Sequence, residues 1–562
     1  MNTILPFEAY LRGTVPDLFD RTSQVYSLLD RCKQLARVIK ADRPIPQSLS
    51  LDVRDYLPAR IECDELLSSY FRTFETVFRV LHVPTFMNEY ISYWDDPSAA
   101  NDAFLAKLLL ILAIGTCFSQ PPAGPRDFYH RRSWQWIYVA QMWLGGPCEK
   151  RRLGPAGVQV HCLILVALQT GAVGADLSWI TAGSLLRAAM TSGLHRDPAH
   201  FPFMPALEAE VRRRLWATVL ELVLQSSLDS GMPPLVCLDD FDTEPPANID
   251  DDQLDGSTTA KPRPQPIAIF TQTSIQCALV RSLALRFKVV KALNNLRSDL
   301  SHEEALHLGS ELRNTCRSNS ALFRSFLSPH SGPTTQKPSM FQIKLLDTLT
   351  RRFVLEIHAP FSMQANSNLA YYFSRKICLE SSLLLLSYIN GTSPQPAAAG
   401  DDYSCLQLYG RGLFKFIFIH ASTTLALEVI DQLQEDSSPF APSLPDNDLY
   451  RATRDIAEIA YQRISIGETS VIMYVCLICV VGYIDAIHSG NTACDNIVGS
   501  AIGALETSYE LLRSHALKRG LLADEDAGKY CDLSDQSALD ELLFGGAWED
   551  EPHIQFDLSN FR

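Results

Sequence analysis

Apolar residues recur at steps of three and four along nearly the whole chain, a spacing typical of α-helices. The run after Asp64, a residue type that caps helix N-termini, has apolar side chains at Leu66, Leu67, Tyr70, Phe71, Phe74, Val77, Phe78 and Leu81. No stretch alternates with a period of two for long enough to indicate a β-sheet. The sequence therefore predicts an all-α protein, a single large helical array of about a dozen or more helices.

A second clear pattern covers Leu207, Val211, Leu215, Val219 and Leu222. It places Arg212, Arg213 and Arg214 largely on the opposite, solvated side of the predicted helix. Further helices are predicted over residues 18–39, 104–117, 134–144, 158–170, 180–192, 267–296, 302–326, 341–357, 369–389, 413–433, 449–465, 471–488 and 497–512.

The most apolar runs, residues 104–118 and 471–484, are shorter than the roughly 18 to 20 residues that a membrane-spanning helix needs. We expect both to be buried helices, and we expect no contact with a membrane. Residues 1–20 contain Glu8, Asp17 and Asp20 where a signal peptide needs a basic start and an apolar run, so secretion is not predicted.

Net charge limits the classes of partner. The chain has 64 acidic and 49 basic residues, a formal charge of −15, which is the wrong sign for a surface that holds a phosphate backbone. Its short basic clusters, Arg131–Arg132, Lys150–Arg152, Arg212–Arg214 and Arg351–Arg352, fit solvated helix faces. The 14 cysteines are scattered singly, which favours a reducing compartment.

Motifs for catalysis and metal binding are incomplete. His302 and His307 are five residues apart, not the four that place two imidazoles on one helical face, and Cys476 and Cys479 lie inside an apolar run without a second pair. No P-loop, dinucleotide fingerprint or nucleophile elbow is present. We therefore predict no enzyme, no catalytic residue and no cofactor or metal held by this chain.

One acidic motif leaves an alternative open. Asp251, Asp252 and Asp255 match the D-D-x-x-D pattern with which all-α terpene cyclases hold magnesium against a diphosphate. The second metal-binding motif that this chemistry needs is not found, and the acidic run lies between Pro245-Pro246 and Pro262 in a predicted loop. Solvated surface carboxylates are the competing interpretation.

Residues 184–252 resemble the middle homology region of fungal zinc-cluster transcription factors. The resemblance rests on SLLRAAMTSGLHRDP, on RRRLW, on SLDSGMPP and on the strip from Asp239 to Asn248, in that order. An earlier helix followed by His82, Pro84 and Phe86 also resembles the family. The likeness is strongest over residues 64–252 and weaker to about residue 520.

The resemblance implies an all-α regulatory domain of the fungal transcription factor type. The residues that carry it, with structural or regulatory roles, are Gly193, Leu194, His195, Arg196, Asp197, Arg213, Arg214, Leu215, Trp216, Asp229, Gly231, Pro233, Pro234, Asp239 and Asp240. From the residues themselves, Gly193 and Gly231 suit left-handed turns at helix ends, His195 suits capping or packing, and Trp216 suits the core.

The family's six-cysteine zinc module, which begins C-x2-C-x6-C, is not found in this sequence, since the first two cysteines are Cys32 and Cys63. Zinc and direct DNA contact are therefore expected only if an upstream module exists; otherwise a partner regulator reaches DNA. Residues 523–562 interleave acidic residues with Leu542, Leu543, Phe544 and Trp548, which suits either an activation segment or a plain solvated tail.

The sequence thus predicts three parts, an N-terminal helix and linker (1–50), a regulatory domain (51–522) and an acidic-hydrophobic tail (523–562). The family implies a nuclear transcription regulator that controls a metabolic or secondary-metabolite gene set. The partners it implies are DNA reached directly or through another regulator, a second copy in a homodimer, a co-activator or the transcription machinery, and a small-molecule effector. A non-DNA-binding interaction scaffold is a further alternative.

Overall fold

A computed structural model of the chain describes residues 22–42, 53–119, 127–146, 150–171, 175–201, 203–254, 263–328, 336–389, 401–435, 448–489 and 492–522. Over these ranges every regular element is helical, which confirms the all-α prediction. The tail 523–562 and Asp255 lie outside the described residues, so the predictions for them are not addressed by the structure.

The helices are α1 (Gln24–Ala41), α2 (Arg60–Arg72), α3 (Glu75–Phe78), α4 (Val83–Asp95), α5 (Asp102–Gly115), α6 (Asp127–Gly145), α7 (Pro155–Gly171), α8 (Ala175–Thr191), α9 (Ala206–Asp229), α10 (Ser274–Leu293), α11 (His302–Leu327), α12 (Met340–Ser362), α13 (Tyr372–Ser387), α14 (Asp402–Tyr409), α15 (Gly412–Glu435), α16 (Asp448–Ser465), α17 (Ile472–Ser489) and α18 (Ala493–Lys518). Short 3₁₀ turns include Pro198–His200, Leu238–Asp240 and Asp251–Gln253.

Local capping explains where several helices begin. The Asn101 side chain accepts a hydrogen bond from the Phe104 amide at 2.8 Å and so starts α5. Ser301 accepts from the Glu304 amide at 3.1 Å at the start of α11. Ser339 and Gln342 form a reciprocal capping box at the start of α12.

A first hydrophobic core extends from Tyr56 to Ile417 and includes residues of α2 to α15. Helix α5 is buried from Phe104 to Gly115, which confirms that the apolar run there is a buried helix. It packs against α2, α6 and α7. Because it is enclosed by neighbours, α5 can be apolar on all its faces.

A second hydrophobic core contains α1, the later part of α15, and α16 to α18. Helix α1 lies against α18, and the Cys32 thiol points to the Leu505 carbonyl. Most of the run 471–484 lies in α17. One side of this helix is buried, and the other side keeps partial contact with solvent. The N-terminal helix therefore packs with the C-terminal helices, although it is remote from them in sequence.

Helix α15 connects the two cores. Leu413, Phe414 and Ile417 belong to the first core, and Phe418, Ala421 and Leu425 belong to the second. Residues 412–433 are also long and apolar enough to span a bilayer, but 72% of that window is buried inside the protein. Its apolar character is explained by burial between two cores.

Candidate functional site

The residues that carry the resemblance gather around helix α9. The prediction that Arg212, Arg213 and Arg214 face solvent is wrong, because all three side chains are buried. Helix α9 packs against α7, α8, α10 and α15, so it has no broad solvated side. Buried guanidinium groups need anionic or carbonyl partners, and each of the three arginines has its own.

Arg212 closes the end of helix α8. Its Nη2 donates to the Ser192 carbonyl at 2.8 Å, one of the carbonyl groups that a helix C-terminus leaves without an intrahelical partner. The next residue, Gly193, has a φ of +72°, and the Leu194 amide donates back to the Ala189 carbonyl at 3.0 Å. Gly231, with a φ of +62°, ends α9 in the same way. The left-handed turns predicted at both glycines are confirmed.

Arg213 holds Asp197, the last residue of the GLHRD motif. Its Nε and Nη2 donate to the two carboxylate oxygens of Asp197 at 2.9 and 2.7 Å. The same carboxylate accepts from the amides of Ala199 and Glu244. Burial by itself would raise the pKa of Asp197, but these hydrogen bonds hold it well below its usual range. The pair fixes the loop after α8 against α9.

Arg214 forms an ion pair with Asp251 of the acidic motif. Its Nη1 lies 2.6 Å from Oδ1 of Asp251, and its Nε lies 3.4 Å from Oε1 of Glu210. Arg79, which ends α3 in a left-handed conformation with φ +53°, donates to the same Asp251 oxygen. The interpretation of Asp251 as a solvated surface carboxylate is therefore wrong, because it is buried between two arginines.

Glu75 completes this cluster on the far side of Arg79. The Tyr70 hydroxyl donates to Oε2 of Glu75 at 2.7 Å, and the Leu81 amide donates to Oε1 at 3.0 Å. Burial raises the pKa of Glu75 to about 7, and the nearby Arg79 opposes part of that rise. We call Glu75, Arg79, Glu210, Arg214 and Asp251 the first charge network.

His82 of the His-x-Pro-x-Phe element touches the first charge network. Its Nε2 lies 3.3 Å from the Asp251 carbonyl oxygen and its Nδ1 lies 2.7 Å from the Thr85 hydroxyl. Burial lowers the pKa of His82. The early motif and the acidic motif, separated by about 170 residues, are thus brought into one site.

A second charge network lies towards the C-terminal end of α9. Glu221 receives two hydrogen bonds of 2.7 Å from Arg286 on α10. Gln225 donates to the Glu221 carboxylate and accepts from Nη1 of Arg352 on α12 at 2.8 Å. Arg352 also pairs with Asp229, whose pKa is raised by burial. The solvated position expected for Arg352 is therefore wrong, because this guanidinium is buried against α9.

The remaining motif residues divide between the core and the surface. Leu194, Leu215 and Trp216 are buried, and the Trp216 ring lies 5.5 Å from that of Phe241 and 6.4 Å from that of half-buried His195. Nδ1 of His195 and Nε1 of Trp216 have no hydrogen-bond partner among the described residues. The surface or partly exposed members are Arg196, Gly231, Pro233, Pro234, Asp239 and Asp240.

The arrangement does not suit magnesium at the acidic motif. Oδ1 of Asp251 is occupied by Arg79 and Arg214, while Oδ2 accepts from the Val83 amide at 3.3 Å. Asp252 is exposed. Within the described ranges, no three His, Cys, Asp or Glu side chains are grouped so that they could hold a metal ion. A carboxylate neutralised by two guanidinium groups lacks the free oxygens that magnesium needs.

Sequence reasoning missed Glu75, Arg79, Glu210, Glu221 and Arg286. Glu75, Glu210, Glu221 and Arg286 lie on helices and Arg79 directly follows α3, and amphipathic patterning assigns such charged residues to water. Glu210 and Arg214 are four residues apart, a spacing that signals a possible pair. The sequence carries no comparable local signal for the pairs of Arg79 with Asp251 or of Glu221 with Arg286.

The sequence profile described as the fungal specific transcription factor domain matches residues 67–354. The chain belongs to this family. The matched range encloses the first charge network from Glu75 to Asp251 and the second from Glu221 to Arg352. It ends before most of the second core, so the family domain corresponds to the greater part of the first core.

Similar proteins are fungal regulators by name. The transcription factor opdR of Penicillium oxalicum is 39% identical over 523 residues, which cover 88% of this chain and 65% of opdR. The transcription factor lepE of Aspergillus flavus is 37% identical and covers 88% of this chain and 60% of lepE. The Aspyridones cluster regulator apdR of Emericella nidulans is 36% identical over 434 residues, 76% of this chain and 58% of apdR.

The chain spans less than two thirds of the length of these relatives. No solved structure shows a significant match to it.

Proposed function

We propose that this chain acts in the nucleus as the helical regulatory part of a transcription regulator, and that its target is a secondary-metabolite gene set. The observation that carries the proposal is the family match together with relatives named as transcription factors and, in one case, as a cluster regulator. The alignments with opdR and lepE each cover about nine tenths of this chain. A shared role for the helical body is therefore the simplest account of the similarity.

The physical role that we propose for the charge networks is to fix helix α9 in one position. Arg214 connects α9 to the turn at Asp251, and Arg352 connects its other end to α12. Buried charges of opposite sign have few alternative arrangements of low energy, so such networks favour a unique packing. A body fixed in this way can transmit a change at one surface to another.

DNA is reached, in this proposal, through a six-cysteine module of the family type, on the same polypeptide or on a partner regulator. The matching test is to map the 5′ end of the native transcript and translate everything upstream of Met1. An in-frame C-x2-C-x6-C module favours direct binding. Its absence directs the search to a partner that co-purifies with the helical body, or to a second copy in a homodimer.

The effect of the chain on transcription is tested by fusing it to a heterologous DNA-binding domain whose binding site lies upstream of a reporter gene. If residues 523–562 are an activation segment that docks on a co-activator, reporter transcription rises and is lost when Leu542, Leu543 and Phe544 are replaced by alanine. The matched control replaces Ser534, Gln536 and Ser537 by alanine and leaves transcription unchanged. A fusion that neither activates nor represses the reporter contradicts the regulator and favours a scaffold.

A further inference from the structure

Helix α15 begins at the junction of the two cores, in a strongly positive environment. The Arg411 amide donates to the Gln169 carbonyl of α7 at 3.0 Å, and Gly412 turns the chain into the helix with a φ of +49°. Lys415 lies in the first turn of α15, where no acidic residue is present. The N-terminus of a helix carries a partial positive charge and is stabilised by anions, so a lysine there is unfavourable.

Three cations surround one carboxylate at this place. Glu468, in the loop between α16 and α17, accepts from Nη1 of Arg411 at 2.6 Å and lies 3.2 Å from Nζ of Lys415 and 3.6 Å from Nη2 of Arg463. Burial alone would raise the pKa of Glu468, but the three cations hold it well below its usual range. Three positive charges against one negative charge leave an excess of two.

Backbone carbonyls offset part of that excess. Nη2 of Arg463 donates to the Gly410 carbonyl at 2.8 Å, and Nη1 donates to the carbonyl groups at the end of α14. Among the described residues, the side chains of Arg411 and Lys415 have no such carbonyl partner and pair with Glu468 alone. Burial lowers the pKa of Lys415, which is the response expected of an ammonium group without a full counter-charge.

A donor without a partner lies beside the same helix start. Gln169 is buried, its Cγ lies 3.7 Å from the position that a Cβ on Gly412 would occupy, and its Nε2 has no hydrogen-bond partner among the described residues. A buried N–H group normally has an acceptor. An oxyanion that reached both this amide and the side chains of Arg411 and Lys415 would satisfy the amide and reduce the excess of positive charge.

We propose that the start of α15 binds an oxyanion, the carboxylate or phosphate group of a small molecule, between Arg411, Lys415 and Gln169. The side chains of Arg411 and Lys415 are 16% and 26% exposed, so an anion can reach them from solvent. The proposal does not depend on the proposed transcriptional role. Because Gln169 belongs to helix α7 and Arg463 and Glu468 adjoin the second core, the bound anion would link the two cores and stabilise their junction.

The experiment is thermal unfolding of the full chain in rising concentrations of potassium phosphate at constant ionic strength, with potassium chloride as the balancing salt. We expect a saturable rise in Tm of about 2 °C or more, because a ligand that binds only the folded state stabilises it. A parallel titration with potassium acetate distinguishes the sources: a response to acetate alone identifies a carboxylate site, and a response to phosphate alone identifies a phosphate site.

Variants decide whether the response arises at this site. Lys415→Met keeps the aliphatic stem and removes the ammonium group, and it is expected to weaken the apparent anion affinity about tenfold or more. Without anion, this variant should unfold at a higher temperature than the unsubstituted chain, because the excess positive charge is smaller. Lys376→Met, at an exposed lysine of α13, is the matched control and should keep the full response.

Gln169→Leu provides a second variant that leaves every charge in place and should also weaken the response. The proposal is overturned if neither phosphate nor acetate gives a saturable shift in the unsubstituted chain. It is equally overturned if Lys415→Met and Gln169→Leu both keep the shift, because a general salt effect would then explain it.

Discussion

Nη1 of Arg214 and Oδ1 of Asp251 lie 2.6 Å apart in the interior, and this ion pair joins the RRRLW motif of helix α9 to the acidic motif that begins at Asp251. Arg79, which is 172 residues away in sequence, donates to the same carboxylate oxygen. The carboxylate that resembled part of a magnesium motif is thus a counter-charge that holds the first core together.

Removal of this counter-charge should destabilise the protein strongly. Asp251→Asn keeps the size of the side chain but leaves Arg79 and Arg214 buried with less negative charge, which we expect to lower the free energy of unfolding by about 3 kcal/mol. Urea denaturation followed by circular dichroism measures the change. The neighbouring Asp252→Asn, at an exposed position, is the matched control and should change stability by less than about 0.5 kcal/mol. Equal effects of the two variants would contradict the buried network.

Glu75 predicts a pH dependence. Burial raises its pKa to about 7 in the folded protein from an ordinary value of 4.5. The folded state therefore holds a proton that the unfolded state releases, so this contribution to stability is complete below about pH 4.5 and is lost as the pH rises towards 7. Glu75→Gln cannot titrate. We expect the unsubstituted chain to lose about 2 kcal/mol relative to this variant between pH 5 and pH 8.

The measurement for Glu75 is urea denaturation of both proteins at several pH values in one buffer series. Glu208→Gln, at an exposed position of α9, is the control for the loss of one carboxylate outside the first charge network. A difference between Glu75→Gln and the unsubstituted chain that stays constant with pH would show that the buried carboxyl does not titrate in this range.

The cap of helix α8 predicts a contrast between two glycines. Gly193→Ala forces an L side chain into a φ of +72° and should destabilise the protein by about 1 kcal/mol. Gly503→Ala, in the middle of α18 with open space around the new Cβ, should be neutral or stabilise by up to about 1 kcal/mol. Thermal unfolding distinguishes the two. Destabilisation of the same size at both positions would exclude the left-handed cap as the cause.

What the sequence could predict was governed by local physical chemistry. The helical spacing around Tyr70 and the glycines at 193 and 231 depend on residues a few positions away, so the helices and their left-handed ends were predictable. Short α14 was not predicted, because eight residues give too little periodicity to detect. The family resemblance supplied the order of the motifs but not their contacts.

The burial of Arg213 and Arg214 could not be predicted from their helix. Amphipathic patterning assigns charged residues to water, and this rule fails for a helix enclosed by four others, because its polar side chains then find partners inside. The partners, Asp197 and Asp251, lie 16 and 37 residues away on loops whose paths the sequence does not specify. The packing of α1 against α18 could not be predicted either, because the contacting residues Cys32 and Leu505 are 473 positions apart in sequence.

That grouping predicts how the N-terminal helix behaves when the second core is weakened. Leu35 of α1 is buried in this core, and Leu35→Ala leaves a cavity that should destabilise the packing by about 2 to 4 kcal/mol. Because the buried residues of α1 all belong to the second core, we expect limited proteolysis to cleave α1 faster, while fragments that contain the first core stay intact. Lys40→Ala, at an exposed position of the same helix, should leave the cleavage rate unchanged. Simultaneous cleavage throughout both cores in Leu35→Ala would instead mean that the two cores unfold as one unit, with α15 transmitting the loss from one to the other.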